Sequence, residues 1–442
     1  MLIEPLLSAY FRYATRASLQ FGPESSAAGM PVQAPEGKCL LYVHIPFCES
    51  LCPFCSFHRV QLKRDKAARY FRALRKEIEL YHAAGFDFVS VYVGGGTPTV
   101  MPEELVETLD LMRSLFSIRE VSVETNPNHL RPEVLSLLKA ARVNRLSVGV
   151  QSFDDRLLKE MQRSAPYGSS AEIISRLKDV QGIFDTLNVD MIFNLPHQTL
   201  ESLQHDIQVL KTLDVDQVSF YPLMPATATR RAMAHQMGAV TFRREKEFYN
   251  EILAAMTEAY EPSSAWCFSR GNGMIDEYIV DYDEYLGVGS GSFSFLGGSM
   301  YSSTFSIPRY LQLIESGRTG ITLSRCFEPI ERMRYDFLMK LFGLTMDMGA
   351  MEQKYGGKFQ RKLWKEFLFF RTVGALQAGA GQYRLTKRGM YYWVIMMREF
   401  LMGVNNFRED MRQHIRAEFM AEVGDNLRRN ARQQAVPKAE TG

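Results

Sequence analysis

Short apolar runs alternate with longer amphipathic stretches over the first half of the chain. Six runs have the length and the β-branched or aromatic content of strands, and they span 40–45, 88–93, 121–124, 146–150, 187–193 and 217–221. The segments between them have helical periodicity. In 65–82, for example, Tyr70, Leu74 and Ile78 recur at i, i+4 and i+8. The pattern predicts strand and helix in regular alternation.

Six strand–helix units predict an α/β fold with a parallel sheet and right-handed crossovers. A closed barrel of this kind has eight units, so we expect an open, partial (β/α)6 barrel. In such barrels the carboxyl ends of the strands carry the chemistry. We therefore expect functional side chains at that edge of the sheet.

The pattern changes after about residue 262. Helices are predicted near 329–343 and 358–370, followed by a short β element, the letters LTKRG and a helix to about Gly403. This order is similar to part of a winged-helix fold. We expect four segments, which are an N-terminal extension and linker (1–39), a core (40–262), a mainly helical C-terminal region (263–423) and a disordered tail (424–442).

Composition excludes several classes of protein. The 442 residues are 46% hydrophobic with a net charge of +2, which argues against a nucleic-acid surface. The most apolar segment, 390–402, contains Arg398 and Glu399 and is too short to span a bilayer, and the N-terminus lacks the pattern of a secretory signal. Six cysteines, three of them clustered, favour a reducing compartment over a disulfide framework. We expect a cytoplasmic protein.

The letters YVHIPFCESLCPFC, at 42–55, place Cys48, Cys52 and Cys55 at C-x3-C-x2-C spacing directly after the first strand. Three thiolates can hold three corners of a [4Fe–4S] cube and leave the fourth iron open to a small molecule. The alternative is a structural zinc site with His58 as the fourth ligand. Structural zinc sites usually draw ligands from two separated pairs, so this spacing favours the cluster.

Polar residues follow the later strands, where a ligand of the open iron would lie. Three glycines and Thr97 end the second strand, and a backbone without Cβ atoms lets a ligand approach closely. Glu124 ends the third strand, Gln151 the fourth and Asp190 the fifth. Arg163 follows at a distance that suits pairing with a carboxylate. Each residue alone is explained as well by a cap or a surface group, but together they predict one pocket.

Together these motifs resemble the HemN-like branch of the radical S-adenosylmethionine (SAM) enzymes. The resemblance covers roughly residues 40–400 and rests on YVHIPFCxxxCPFC, GGGTP, ETNPN, VNRLSVGVQSF, DMIFNLP and LTxxG. It implies a [4Fe–4S] cluster held by Cys48, Cys52 and Cys55, and in some members a second SAM molecule. The SAM contacts that it implies are Tyr42, Phe54, Gly95, Gly96, Thr97, Glu124, Gln151, Arg163, Asp190 and Met224.

Departures from the patterns of this branch point to one group within it. The coproporphyrinogen oxidase pattern has a fourth cysteine where this chain has Phe57, and the haem chaperone pattern has Gly-Arg-x-His where this chain has QRSAPY at 162–167. The stretches 274–296 and 398–407 are similar to the haem-utilisation group HutW/ChuW, the anaerobilin synthases. That similarity implies a radical SAM methyltransferase that opens the haem macrocycle without oxygen and releases iron. The alternatives are an oxygen-independent coproporphyrinogen III oxidase-like enzyme and a HemW-like haem chaperone.

The resemblance also implies partners, namely haem or a related tetrapyrrole and a one-electron donor, flavodoxin or a flavin reductase. In the methyltransferase reaction, a radical from one SAM would take hydrogen from the methyl group of a second SAM, whose carbon would add to haem. For a flat ring with two carboxylates we expect an apolar slot with basic residues at its mouth. The segment 390–402 and the tyrosines Tyr278, Tyr282 and Tyr285 could contribute to it, with core packing as the alternative.

Overall fold

A twelve-stranded, mostly parallel sheet forms the centre of the fold. The structure, a computed structural model, describes residues 3–21, 39–227, 230–271, 275 and 278–434. Six parallel strands in chain order form the middle of the sheet, and they are β1 Cys39–Ile45, β2 Ser90–Gly95, β3 Glu120–Thr125, β4 Arg145–Gln151, β5 Thr186–Phe193 and β6 Gln217–Pro222. The predicted open, partial (β/α)6 barrel is confirmed.

Helices connect these strands and cover the sheet. They are Arg64–Ala83, Pro102–Leu115, Pro132–Ala140, Asp155–Glu160, Ser164–Tyr167, Ser170–Val180, Leu200–Leu213, Arg230–Met237 and Glu245–Met256. Local sequence signals define where they begin. Ser169 and Thr199 form capping boxes, and Pro102 and Pro132 occupy first helical positions, where the missing N–H has no cost. The predicted apolar face is buried, as Tyr70 shows.

The sheet continues beyond the six parallel strands on both sides. Beside β6 lie the antiparallel strands Cys267–Ser269 and Glu261–Pro262, so the predicted core boundary at 262 falls within the sheet. Beside β1 lies a parallel strand, and three antiparallel strands follow it outward. These four strands are Glu284–Val288, Phe293–Leu296, Ser299–Ser303 and Ile321–Cys326.

The remainder of the described chain is mainly helical, as predicted. Its helices are Ile307–Glu315, Pro329–Phe342, Met348–Lys354, Phe359–Lys362 and Trp364–Thr372. A separate three-stranded sheet accompanies them, formed by Thr345–Asp347, Leu376–Gly379 and Gln382–Leu385. The last two strands form the hairpin that a winged-helix-like arrangement requires before its final helix. None of the helices in the described part of the chain has the length and apolar character needed to span a membrane.

Two terminal helices pack against each other. The N-terminal helix, Ile3–Ser18, lies within the predicted extension, whereas the predicted linker at 21–38 falls outside the described residues from position 22 onward. The C-terminal helix is Lys387–Gln434, so the prediction that it ends near Gly403 is wrong. The helix also passes residue 424, where the tail was expected to begin. Gly403 lies inside the helix because the two terminal helices approach closely there, and a Cβ at this position would lie 2.4 Å from Cγ2 of Thr15.

A buried ion pair also fixes the C-terminal helix. Arg398, 3% exposed, donates to both carboxylate oxygens of Glu245 and to Oε1 of Glu399 at 2.9 Å. Arg12 of the N-terminal helix reaches Oε2 of Glu399 at 3.1 Å. Breaking such a buried pair leaves an uncompensated charge, so these contacts hold the helix in one position over the barrel.

Candidate active site

A cavity of about 390 Å³ lies against the carboxyl ends of β1–β6. Its volume is within the range of small-molecule sites. Its walls include every residue that the sequence predicts for the site. Those residues are Cys48, Cys52, Cys55, Tyr42, Phe54, Gly95, Gly96, Thr97, Glu124, Gln151, Arg163, Asp190 and Met224. All of the predicted site residues therefore lie around one space at the expected edge of the sheet.

The three cysteines lie on a loop that is pinned at both ends. Phe47–Cys48 pairs with Val60–Gln61 in a short two-stranded ladder, which closes the loop. Within it, Nη2 of Arg59 donates to the carbonyl oxygens of Cys52 at 2.5 Å and Cys55 at 2.8 Å. Cys48 and Cys52 are buried, and Cys55 is half-buried. The loop thus holds three thiols beside the cavity.

Donors from neighbouring strand ends reach two of the sulfurs. Nη1 of Arg163 lies 3.4 Å from Sγ of Cys52, and the hydroxyl of Thr97 lies 3.6 Å from Sγ of Cys48. Burial raises the pKa of the Cys48 thiol to about 12, and a bound metal would stabilise the thiolate and release the proton. Three thiols, two of them with hydrogen-bond donors to their sulfurs, are a donor set that fits an iron–sulfur cluster.

His58, the fourth ligand of the alternative zinc site, has contacts of its own. In the described part of the chain, no three His, Cys, Asp or Glu side chains group around a position for one ion. The ring of His58 packs 5.7 Å from His44 and 5.2 Å from Phe305, and its Nε2 lies 3.3 Å from Oγ of Ser290. A cube distributes its thiolates over different irons and so needs them farther apart than a single zinc ion does.

Close packing requires the glycine turn at the end of β2. Gly95 has φ +115°, and a Cβ there would lie 2.6 Å from the His44 ring, while a Cβ on Gly94 would lie 2.6 Å from Oε1 of Glu124. The amide of Gly95 donates to Oε2 of Glu124 at 3.1 Å, and that of Gly96 to the carbonyl of Ile45 at 2.7 Å. The turn therefore uses these two N–H groups internally.

Glu124 has a fixed orientation beside this turn. Its Oε1 accepts a hydrogen bond from the hydroxyl of Tyr92 at 2.9 Å. Sequence reasoning missed Tyr92, although its place in β2, two residues before the first glycine, was a signal. Tyr42 is fixed similarly. Nε2 of His44 must donate to the carbonyl of His58 at 2.9 Å, so Nδ1 accepts from the Tyr42 hydroxyl at 2.9 Å.

The end of β4 carries backbone strain. Gln151 has φ +80°, and the β4–β5 register shifts between Gly149 and Gln151. Such bulges re-aim side chains, and strained residues of this kind cluster at functional sites. The residues that follow are anchored, because the amide of Phe153 donates to Oδ1 of Asp206 at 2.6 Å. The bulge is therefore held from behind by a buried carboxyl.

Arg163 connects several strand ends. One guanidinium nitrogen donates to Oδ1 of Asn126 at 2.9 Å and to the carbonyl of Gly149, and the group lies 4.1 Å above the ring of Tyr167. Asn126 and Tyr167 also line the cavity and were not predicted. Asn126 belongs to the ETNPN motif, which was the available signal.

Asp190 and Met224 differ from expectation in detail. Asp190 does not end β5 but lies inside it, opposite Gly149 and Ser219, because the strand continues to Phe193. Its carboxylate accepts from Ser147 at 2.9 Å and from Asn188 at 2.7 Å. The carbonyl of Met224 accepts from the side chain of Asn405 at 3.0 Å, which ties the C-terminal helix to the cavity rim.

Aromatic rings form the opposite side of the cavity, which we name the aromatic wall. It comprises the lining residues within 278–300, Tyr335 and the lining residues within 397–408. Ring centroids of Tyr278 lie 5.8 Å from Tyr42 and 5.2 Å from Tyr285. Tyr278, Tyr282 and Tyr285 recur at i, i+4 and i+7, which predicts one helix face, but they do not share one. Tyr278 begins a single 3₁₀ turn, Tyr285 lies in a strand, and Tyr282 points to Oγ of Ser90 at 2.5 Å.

The segment 390–402 has both of the roles considered for it. Trp393 and Met396 are fully buried and pack in the core. Met397, Phe400 and Leu401 line the cavity. Two other cysteines, buried Cys267 and exposed Cys326, are not among the lining residues.

Comparison with known proteins identifies the fold and the family. A family model for the Radical SAM superfamily matches residues 42–210. The chain is 29% identical to the haem chaperone HemW of Bacillus subtilis, over 73% of this chain and 87% of the relative. It is 28% identical to the oxygen-independent coproporphyrinogen III oxidase of Salmonella typhimurium, over 74% of this chain and 76% of the relative.

A solved structure gives the same result for the fold. Coproporphyrinogen III oxidase (HemN) from Escherichia coli superposes with a TM-score of 0.70 at 22% identity, covering 83% of this chain and 91% of that chain. The cofactors of the superfamily, a [4Fe–4S] cluster and SAM, suit the three thiols and the cavity beside them. The protein belongs to the HemN-like family of radical SAM proteins, with relatives among the HemW chaperones and the coproporphyrinogen oxidases.

Proposed function

We propose that this protein is a radical SAM enzyme whose substrate is a tetrapyrrole. The observation that carries the proposal is the composition of the cavity. The same space is bordered by the cysteine loop on one side and by the aromatic wall on the other. A flat, largely apolar ring can lie against such a wall, with its edge toward the cluster. The names of the two relatives, a haem chaperone and a coproporphyrinogen oxidase, are consistent with this substrate class.

We assign the cysteine side of the cavity to SAM. Bound on Cys48, Cys52 and Cys55, the [4Fe–4S] cluster would supply the electron that cleaves SAM reductively. Backbone carbonyls of the glycine turn and the carboxylate of Glu124 would receive the methionine ammonium. Arg163 would pair with the methionine carboxylate.

The remaining predicted contacts surround the nucleoside. Asp190 would accept from ribose hydroxyls, since its carboxylate lines the cavity while Ser147 and Asn188 hold it in place. Gln151, fixed at its bulge, would contact the same part of SAM. Met224 would contribute an apolar or backbone contact. Phe54 and Tyr42 would contribute the faces of their rings.

The chain's own side chains restrict what a radical could attack. The hydroxyl of Tyr42 is engaged with His44 and that of Tyr92 with Glu124. The wall opposite presents rings and thioether or alkyl groups, including Met397 and Leu401. Excluding water and fixing nearby hydroxyls protects a reactive intermediate from side reactions.

The relatives favour an oxidase-like or chaperone-like role over opening of the ring, because their printed names describe those two roles. Opening of haem by radical methyl transfer is a second candidate, and Phe57 counts against the oxidase. This residue stands where the oxidase pattern has its fourth cysteine, and its ring lies 5.1 Å from the guanidinium of Arg408. We propose flavodoxin or a flavin reductase as the electron donor in either case.

Mass spectrometry of anaerobic reactions tests these proposals. The reconstituted protein is incubated with reductant, methyl-deuterated SAM and either haem or coproporphyrinogen III. Loss of carbon dioxide from coproporphyrinogen identifies an oxidase, and a deuterium-bearing opened tetrapyrrole identifies ring opening. Intact haem bound at one equivalent identifies a carrier. Cys55→Ala should abolish turnover, whereas Cys326→Ala should leave it unchanged. If the protein neither changes nor binds haem or coproporphyrinogen III, the proposed substrate class is refuted.

A further inference from the structure

The aromatic wall contains a charge that the SAM site does not use. Among the described residues of this wall, the others are tyrosine, phenylalanine, aliphatic, methionine and asparagine side chains, and Arg408 alone is charged. It lies on the C-terminal helix one turn beyond Val404, which also lines the cavity. An isolated cation on an apolar wall is costly unless something pairs with it.

Arg408 has no carboxylate partner in the described part of the chain. Its Nη1 donates to Oδ1 of Asn405 at 3.0 Å, and Nε has no hydrogen-bond partner there. The guanidinium lies 5.1 Å from the ring centroid of Phe57 and 5.6 Å from that of Phe293. Neutral rings and one amide oxygen hold the group in place, and the groups that attract its charge across space are Cys55, Tyr42, Tyr278 and Tyr285, none of which is a carboxylate.

The surroundings make this cation ready to receive an anion. Burial lowers the pKa of Arg408, which means that its charged form is poorly solvated where it lies. The charged groups facing the cavity from the other elements are Arg59 and Arg163 on the cysteine side, and Glu124 and Asp190 at the strand ends. Nε of Arg59 and of Arg163 also lacks a partner among the described residues, but both groups lie on the cysteine side, where they donate to carbonyl oxygens and to a sulfur. Arg408 lies on the aromatic wall and has one amide oxygen as its partner.

We propose that Arg408 binds a carboxylate of the substrate and thereby orients the tetrapyrrole against the aromatic wall. This inference rests on the proposed function and names the residue that recognises the substrate's acidic side chains. A guanidinium forms paired hydrogen bonds with a carboxylate, which a neutral ester cannot match. Arg408 therefore selects tetrapyrroles that carry free carboxylates.

Binding of haem and of haem dimethyl ester to the full-length, cluster-reconstituted protein tests the proposal. We expect the wild type to prefer haem to its ester. Arg408→Gln should weaken haem binding roughly 10- to 100-fold, the range for loss of a charge-assisted hydrogen bond, and leave ester binding unchanged. Arg408→Lys should recover part of the affinity. Arg388→Gln removes the same charge from an exposed position of the same helix and serves as the matched control.

Three results would overturn the role of Arg408 while leaving the proposed function intact. The first is an unchanged haem affinity in Arg408→Gln. The second is an equal loss of haem and ester binding, which indicates a structural role. The third is loss of reductive SAM cleavage with haem affinity intact, which assigns Arg408 to the SAM site. A wild type that binds neither tetrapyrrole refutes the proposed substrate class, and the role of Arg408 with it.

Discussion

Nη1 of Arg163 lies 3.4 Å from the sulfur of Cys52, although 111 residues separate the two along the chain. The same side chain donates to Asn126 and to the carbonyl of Gly149. Arg163 therefore connects a thiol of the cysteine loop with residues that follow β3 and lie in β4. A shift of one of these parts would therefore displace the others through Arg163.

Replacing Arg163 with methionine should alter both the cluster and SAM binding. The variant loses a cationic donor to a sulfur, so the reduction potential should become more negative, because hydrogen bonds to sulfur tune it. SAM affinity should fall by roughly tenfold or more. Redox titration followed by electron paramagnetic resonance and equilibrium SAM binding measure the two effects. Arg156→Gln, at a half-exposed position nearby, is the control. An unchanged potential would contradict the assigned contact.

Glu124→Gln should weaken SAM binding without unfolding the protein. An amide retains the shape but offers only one oxygen, whereas Glu124 accepts from Tyr92 and from the Gly95 amide with both of its oxygens. We expect the KM for SAM to rise by roughly tenfold, the value for one charge-assisted hydrogen bond. Glu120→Gln, at the exposed start of the same strand, should leave KM unchanged. Equal KM values in the two variants would refute a role for Glu124 in binding.

Gly95→Ala should destabilise the protein more than Gly85→Ala. Both glycines have positive φ, at +115° and +83°, but only Gly95 has a neighbour, the His44 ring, within 4 Å of an added Cβ. Gly85→Ala should cost about 1 kcal/mol from backbone strain. Gly95→Ala should cost about 1–3 kcal/mol more from the clash. Urea denaturation gives both free energies of unfolding. Equal losses would mean that packing against His44 is unimportant.

The stability of the protein should decline with rising pH because of Asp206. Burial raises the pKa of this carboxyl from 3.8 to about 7. The folded protein then binds the proton more tightly than the unfolded chain, so the contribution is complete below about pH 4 and is lost as pH rises through 7. Between pH 5.5 and 8 the loss should be at most roughly 2 kcal/mol.

Asp206→Asn should flatten this decline, because an amide does not titrate. Unfolding free energies of both proteins at several pH values provide the measurement. Asp179→Asn, which removes an exposed carboxyl, should keep the wild-type slope. If the Asp206→Asn and wild-type curves run parallel, the decline has another origin.

Local patterns predict the parallel strands and the edge where the site lies, because strand periodicity and the residues after a strand are local properties. Cys48, Glu124 and Gln151 could be placed at that edge for this reason. Asp190 lies inside its strand and not at its end, because β5 continues through three more apolar residues, as the predicted bounds 187–193 already indicated.

The aromatic wall could not be predicted in the same way. It forms because the C-terminal helix crosses the open edge of the barrel, a contact between residues far apart in the chain. A helix pattern shows which face is apolar but not which sheet edge it will cover. Arg408 therefore has no distinguishing feature in the sequence, and its importance emerges only beside Phe57 and Phe293.

The two sides of the cavity come from parts of the chain that are synthesised at different times. The loop with Cys48, Cys52 and Cys55 leaves the ribosome long before the helix that carries Met397 and Arg408. The residues that close the cavity on its far side are therefore made last, so a cluster inserted before translation ends would enter a site that this wall does not yet cover.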